Sequence, residues 1–128
     1  MTIIDSRKSI AQVADATGLS THTLRYYERE GLMIGPVDRA SSTHRRYSDA
    51  DVNWVQFLTK LRATGMPIAR VREYVELARR GDATSEDRME LLLRHRITVL
   101  AQLDEINRSL SAIDKKIALY KEKVQTSA

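Results

Sequence analysis

The chain has 128 residues, 42% of them hydrophobic and 30% charged, which suits one small domain or one compact head with an appended element. It contains no cysteine, which excludes disulfides, thiolate metal sites and cysteine-based redox or nucleophilic chemistry. The net charge of +4 is uneven: residues 1–81 carry 13 Lys and Arg against 9 Asp and Glu, whereas residues 82–128 carry 8 of each. A basic first part indicates a polyanionic partner for that part.

The first predicted elements are two short helices joined by a turn. Ser9 is suited to cap the first helix, because Gln12 stands three residues on and completes a capping box. Gly18 permits the left-handed conformation that ends a helix, and Ser20 is suited to cap a second helix, which ends at Gly31. Two short helices around a turn with glycine predict a helix-turn-helix.

The next segment, residues 32–47, has the pattern of a β-hairpin. Apolar Met33–Ile34 and the residues Arg45–Tyr47 flank a stretch of polar and turn-forming residues. The turn-forming residues are Gly35, Pro36, Asp38, Ser41 and Ser42. We therefore expect a two-stranded wing with a polar tip, in which the Tyr47 side chain packs inward.

Two longer helices are predicted after the wing. Ser48 is suited to cap a third helix over residues 49–63, and Gly65 ends it. Pro67 suits the first position of a fourth helix, which stops at Gly81. Both helices carry apolar side chains at helical spacing, so we expect them to form the core of the head. These side chains are Val52, Trp54, Val55, Phe57, Leu58, Leu61, Ile68, Val71, Tyr74, Val75 and Ala78.

The last segment, residues 85–125, contains neither Gly nor Pro and repeats apolar residues every seven positions. Two such series, offset by three or four residues, predict the apolar seam of a coiled coil. About 40 helical residues would extend roughly 60 Å, which is too long for the preceding head to cover. The simplest partner is a second copy of the chain. The predicted dimerisation residues are Leu92, Val99, Leu103, Ile106, Leu110, Ile113, Ile117 and Tyr120.

The second helix of a helix-turn-helix reads DNA with the side chains near its N-terminus, which face base edges in the major groove. Here those side chains are Thr21, His22, Thr23, Arg25 and Tyr26. The guanidinium of Arg25 is suited to pair with a guanine or to hold a phosphate. An ordinary solvated helix face is the alternative interpretation of the same residues.

Basic residues elsewhere are candidates for contact with DNA phosphates. Arg45 and Arg46 lie at the base of the predicted wing, where a solvated pair of charges is the alternative. The candidates on the third and fourth helices are Lys60, Arg62, Arg70 and Arg72. For these four, a solvated surface position is the simpler interpretation.

Three strings in the first part resemble the DNA-binding head of the mercury-resistance-regulator (MerR) family. They are TLRYYEREGL at residues 23–32, RRYS at residues 45–48 and GMPI at residues 65–68. The resemblance covers residues 8–78, and the long helix lies where that family has its dimerisation helix. It implies a mainly α fold, namely a winged helix-turn-helix head of four helices and a two-stranded wing. A long C-terminal helix would follow and form an antiparallel coiled coil in the dimer.

The resemblance also implies a function and a division of the chain. Residues 8–78 would be the DNA-binding domain, 79–84 a linker and 85–125 the dimerisation helix. A homodimer would bind a pseudo-palindromic operator in a promoter spacer, and would bend and untwist that double-stranded DNA so that RNA polymerase can engage the promoter. Positions near DNA in the family match Thr23, Arg25, Tyr26, Tyr27, Arg45 and Arg46, although the spacing of Tyr27 from Leu24 suits the core equally well.

The chain departs from the metal-sensing members of that family, which bind ions through cysteines. The histidines His22, His44 and His95 are scattered along the sequence, so we expect neither a metal site nor a cofactor. The sequence leaves a small-molecule effector open, and we expect the protein to lack the large drug-binding domains of other members. Core or dimer packing is the simpler explanation of the residues that could line a pocket, which are Tyr74, Leu77, Met89, Leu92, Leu93 and His95.

Other classes of protein fit the sequence less well. An architectural or excision-type DNA-binding accessory protein without an effector is the main alternative, although such factors usually lack a long dimerisation rod. A helical adaptor would leave the basic first part unexplained. An enzyme is not expected, because the sequence has no phosphate-binding glycine loop and no nucleophile or metalloprotease motif. With no signal peptide and no membrane span, we expect a soluble, cytoplasmic protein.

Overall fold

The computed structural model describes residues 8–35, 38–39 and 45–127 of the chain. That part contains five α-helices and one two-stranded antiparallel sheet. It divides into two compact units, Met1–Glu90 and Leu91–Ala128, and the division lies inside the last helix. We call the first unit the head.

The first two helices form the predicted helix-turn-helix. They are α1 (Ile10–Thr17) and α2 (Thr21–Arg29), and they pack against each other. The capping box is present at α1, because the Gln12 N–H donates to Ser9 Oγ at 3.2 Å and the Ser9 N–H donates to Gln12 Oε1 at 2.8 Å. Gly18 ends α1 with φ 75°, the left-handed conformation that its sequence position predicted.

The wing is formed by two short strands, β1 (Asp38–Arg39) and β2 (Arg45–Arg46). Arg39 lies opposite Arg45 in the antiparallel register, and Asp38 lies opposite Arg46. Tyr47 continues the pairing through two backbone hydrogen bonds with Lys8, each of 2.7 Å. The sequence did not predict this third chain segment beside the wing.

The prediction that Met33–Ile34 forms the first wing strand is wrong. The backbone bends at these residues, and β1 begins later, at Asp38, which we had expected in the turn. Side chains from the following helices hydrogen-bond to the carbonyls of Leu32 and Met33, and these contacts hold the chain against the head instead of in a sheet. The predicted turn residues Pro36, Ser41 and Ser42 lie outside the described residues.

The core of the head is completed by α3 (Asp49–Ala63) and α4 (Ile68–Arg79), which pack against each other. Ser48 caps α3 as predicted, in a capping box with Asp51. The buried apolar side chains are Val13, Leu24, Tyr27, Leu32, Met33, Tyr47, Val55, Leu58, Leu61, Met66, Val71, Tyr74, Val75 and Ala78. Four residues that we expected in the core are only half-buried, namely Val52, Trp54, Phe57 and Ile68.

A hydrogen-bonded turn connects α4 to the last helix, α5 (Ser85–Thr126, 42 residues). Within the stretch that we predicted as a linker, Asp82–Thr84 form one 3-10 turn. The buried Thr84 hydroxyl donates to the carbonyl of Leu77 in α4. The guanidinium of Arg88 donates to Thr84 Oγ1 at 3.1 Å and to the Gly81 carbonyl at 3.0 Å. These contacts fix the path of the chain into the first turn of α5.

Candidate nucleic-acid interface and dimer seam

Helix α2 has one buried face and one exposed face. Leu24 and Tyr27 are 1% and 5% exposed, and the Tyr27 hydroxyl lies 3.3 Å from Thr59 Oγ1 of α3. His22 and Arg25, in contrast, are exposed and lie three residues apart on the opposite side. The buried face anchors α2 in the head, so the exposed face is available to a ligand such as DNA. Tyr27 therefore occupies a core position.

The start of α2 is fixed by its N-cap. The Ser20 hydroxyl accepts a hydrogen bond of 3.0 Å from the Thr23 N–H and lies 2.9 Å from Thr23 Oγ1. Thr21 and Thr23 are half-buried, and His22 between them is exposed. This cap defines the direction in which the first turn presents its side chains.

Tyr26 and Arg29 form a contact on the exposed side of α2 that we did not predict. The Arg29 guanidinium lies 5.9 Å from the centre of the Tyr26 ring, and that ring lies 6.1 Å from the ring of Tyr27. Tyr26 is half-buried and Arg29 is exposed. The sequence did hold a pattern that places Arg29 beside the predicted DNA contacts. Arg29 follows Tyr26 by three residues and Arg25 by four, and both spacings put side chains next to each other on a helix.

Arg45 and Arg46 form β2, as expected for the wing, but their side chains lie outside the described part of the structure. His44 also lies outside it. Tyr47 packs inward as predicted, because its side chain is 0% exposed and its hydroxyl donates to the Glu28 carboxylate of α2. The end of β2 is thereby tied to the helix that carries the candidate DNA contacts.

Among the basic candidates on α3 and α4, Lys60 is exposed. The other three have partners inside the head. Arg62 donates to the Met66 carbonyl at 2.7 Å, Arg70 pairs with Glu73 at 2.7 Å, and Arg72 pairs with Glu30 at 2.8 Å. All three guanidiniums therefore have a partner within the head, and all three residues are exposed.

The residues predicted to form the dimer seam lie as an uncovered apolar stripe on α5. None of the side chains from Ser85 to Thr126 is buried in the single protomer. Leu92 and Val99 are half-exposed, and the remaining predicted seam residues are 47% exposed or more. They are Leu103, Ile106, Leu110, Ile113, Ile117 and Tyr120. Apolar side chains so regularly spaced and so exposed are typical of a helix that pairs with another helix.

The first half of α5 exposes further apolar side chains beside the seam, namely Met89, Leu93, Ile97 and Leu100. Within the described residues, no helix is both long enough and apolar enough to cross a membrane. The same residues contain no group of three His, Asp or Glu side chains placed to share a metal ion.

Comparison with known sequences identifies relatives of the chain. Residues 8–78 match the family described as MerR HTH family regulatory protein, and residues 52–122 match the family described as MerR, DNA binding. An HTH-type transcriptional regulator of Haemophilus influenzae is 34% identical over 110 residues, which are 86% of this chain and 81% of that protein. The regulator AdhR of Bacillus subtilis is 44% identical over 88 residues, 69% of this chain and 62% of AdhR.

Two solved structures share the fold along most of the chain. One is HiNmlR, a MerR family regulator lacking the sensor domain, bound to promoter DNA; the TM-score is 0.83 at 33% identity, covering 90% of this chain and 86% of HiNmlR. The other is a MerR family transcriptional regulator of Listeria monocytogenes, with a TM-score of 0.81 at 34% identity, covering 89% and 86%. The chain therefore belongs to the MerR family of DNA-binding transcriptional regulators.

Proposed function

We propose that the protein binds promoter DNA as a homodimer, with α2 of each protomer in a major groove and each wing on the adjoining backbone. The observation that carries this proposal is the division of α2 into two faces. Leu24 and Tyr27 hold the helix in the head, and His22 and Arg25 project from the other side of its first turns. That is the arrangement in which a helix-turn-helix presents side chains to base edges.

The proposed DNA-facing residues have two roles. Arg25 reads a base, with Thr21, His22, Thr23 and Tyr26 around it, and Arg45, Arg46 and Lys60 bind phosphates. Arg29 joins this set because it is exposed on the same helix beside Tyr26. Tyr27 supports the set from within the core.

Dimerisation through the α5 seam would give one protein two heads for the two halves of a palindromic operator. In the proposed mechanism the dimer binds between the promoter elements in the cytoplasm and controls access of RNA polymerase by bending and untwisting the spacer. Bending a short DNA site costs on the order of 1–6 kcal/mol, which contacts from two heads can offset. The exposed seam of α5 and the DNA-bound relative HiNmlR support this proposal.

The test is to select genomic DNA fragments with the purified protein at near-physiological salt, and to align the recovered sites. We expect an inverted repeat inside a promoter spacer, and a fluorescence energy-transfer pair on that fragment should report a bend when the protein binds. Random fragments would contradict sequence-specific regulation. Specific sites outside promoters, bent by the protein, would favour the architectural alternative.

A further inference from the structure

The segment between α2 and the wing is held by side chains from distant parts of the head. This segment, Glu30–Met33, is here called the connector. Arg72 of α4 donates through Nη1 to the Glu30 carbonyl at 2.9 Å and through Nη2 to Glu30 Oε2 at 2.8 Å. One guanidinium therefore holds both the backbone and the side chain of the residue that caps the C-terminus of α2.

The other three carbonyls of the connector are held as well. Arg79 Nη2 donates to the carbonyls of Gly31, at 2.6 Å, and of Met33. Trp54 Nε1 of α3 donates to the carbonyl of Leu32 at 2.8 Å. Four consecutive backbone acceptors thus receive hydrogen bonds from three side chains of α3 and α4.

The connector also contains the hydrogen bonds that end α2. The Gly31 N–H donates to the Glu28 carbonyl at 3.1 Å and the Leu32 N–H donates to the Tyr27 carbonyl at 2.8 Å. Gly31 has φ 69°, so these bonds close a Schellman motif. Its amide groups report directly whether the end of α2 is intact.

We propose that Arg72 and Arg79, the arginine clamp, are positioning residues for sequence-specific DNA binding. The clamp attaches both the C-terminal end of α2 and the connector that leads to the wing to one helix, α4. Base contacts require side chains placed to hydrogen-bond accuracy, whereas sequence-independent attraction to DNA is mainly electrostatic and depends on the positive charge of the head. Loss of the clamp should therefore reduce discrimination between sequences more than it reduces attraction to DNA. This inference rests on the proposed function, in which α2 reads the operator.

The chain offers matched controls, because each clamp arginine has another arginine close to it in the sequence that carries the same charge. Arg70 pairs with Glu73 on its own helix, and Arg80 is exposed at the end of α4. Replacing any of the four by Ala removes one positive charge, and only two of the replacements break the clamp. Arg72→Lys keeps the charge and much of the side chain but cannot donate to two acceptors in the planar geometry of a guanidinium.

The experiment measures affinity of the full chain for its selected operator and for a random duplex over a range of salt concentrations, well below each melting temperature. We expect Arg72→Ala, Arg72→Lys and Arg79→Ala to lose roughly tenfold on the operator, the loss expected for one misplaced base contact, and less than about twofold on the random duplex. Arg70→Ala and Arg80→Ala should change both affinities equally and slightly. Exchange of the Gly31 and Leu32 amide hydrogens in the free protein should accelerate in the clamp variants alone.

Two results would overturn the clamp. One is an equal loss on both duplexes by Arg72→Ala, with a salt slope lower by about one and recovery in Arg72→Lys, because that is the behaviour of a phosphate contact. The other is slow exchange at Gly31 and Leu32 in Arg72→Ala, which would show that the connector does not need the guanidinium. If wild-type protein itself fails to discriminate the operator, the proposed function fails, and amide exchange alone then decides whether the clamp holds the connector.

Discussion

The head and the C-terminal part of α5 place their apolar side chains in opposite ways. In the head, Val13, Val55 and Val71 are 0% exposed, and polar side chains of α2 face outward. In α5, Ile106 is 63% exposed and Val124 is 70% exposed in the single protomer. The head therefore covers its apolar side chains with its own contacts, whereas the apolar stripe of α5 needs a partner to cover it. The predictions below test this difference.

The largest effect is expected from charge in the seam. Leu110→Asp should abolish the dimer at micromolar concentrations, because pairing would bury a carboxylate from each protomer at a penalty of several kcal/mol per ion. Operator binding should fall at least a hundredfold with it. Sedimentation equilibrium measures the first effect and fluorescence anisotropy the second.

The matched control is Ser111→Asp, one residue along α5 and outside the two seven-residue series. It adds the same charge and should leave the dimer intact. A dimeric Leu110→Asp protein would contradict the assignment of the seam.

A core substitution in the head should act on stability and leave pairing intact. Leu24 is 1% exposed, and Leu24→Ala should lower the free energy of unfolding by about 2–5 kcal/mol, since it removes buried methyl groups and leaves a cavity. Urea denaturation, monitored by the fluorescence of Trp54, measures this loss of stability. Arg25→Ala, one residue further and exposed, should stay within about 0.5 kcal/mol of the wild type. Similar urea midpoints for the two variants would contradict the assignment of Leu24 to a buried face of α2.

The exposed face of the same helix should affect DNA binding instead. Arg25→Ala should weaken operator binding by about 1–3 kcal/mol and relax base preference at one position. Arg45→Ala and Arg46→Ala should weaken binding to every sequence and lower the salt slope by about one each. Competition between operator variants and random duplex distinguishes these outcomes. Equal losses on all sequences for the three variants would exclude Arg25 from base reading.

The smallest effect is expected at a helix cap. The Ser48 hydroxyl accepts a hydrogen bond of 3.1 Å from the Asp51 N–H at the start of α3. Ser48→Ala should lower the free energy of unfolding by ~1 kcal/mol, because a backbone donor loses its partner. Thermal melting followed by circular dichroism measures it, with Ser111→Ala on the exposed face of α5 as a control. If Ser48→Ala changes the free energy of unfolding no more than Ser111→Ala does, the cap does not contribute to stability.

The sequence predicted those features of the fold that depend on neighbouring residues. Ser9, Ser48 and Gly18 act within a few residues of their own position, so the starts and ends of the helices could be inferred from local chemistry. The start of the wing could not, because it depends on Trp54 and Arg79, which hold carbonyls 22 and 46 residues away. No local pattern records such contacts.

In the candidate site, too, the sequence predicted features that depend on neighbouring residues and missed contacts between distant ones. The exposed positions of His22 and Arg25 follow from helical spacing, and the burial of Tyr27 was one of two interpretations that its spacing allowed. Arg72 was a candidate phosphate contact by charge alone. Its carboxylate partner, Glu30, stands 42 residues earlier in the chain, so only the folded head reveals the pair.

The uncovered seam of α5 also affects how gene expression would respond to the amount of regulator. If only paired protomers occupy an operator, then below the dissociation constant of the dimer the concentration of competent protein rises with the square of the total. Halving the amount of chain would leave about a quarter of the dimer. The promoter would then respond more steeply to synthesis and dilution of the regulator than a monomeric regulator would allow, with no ligand involved.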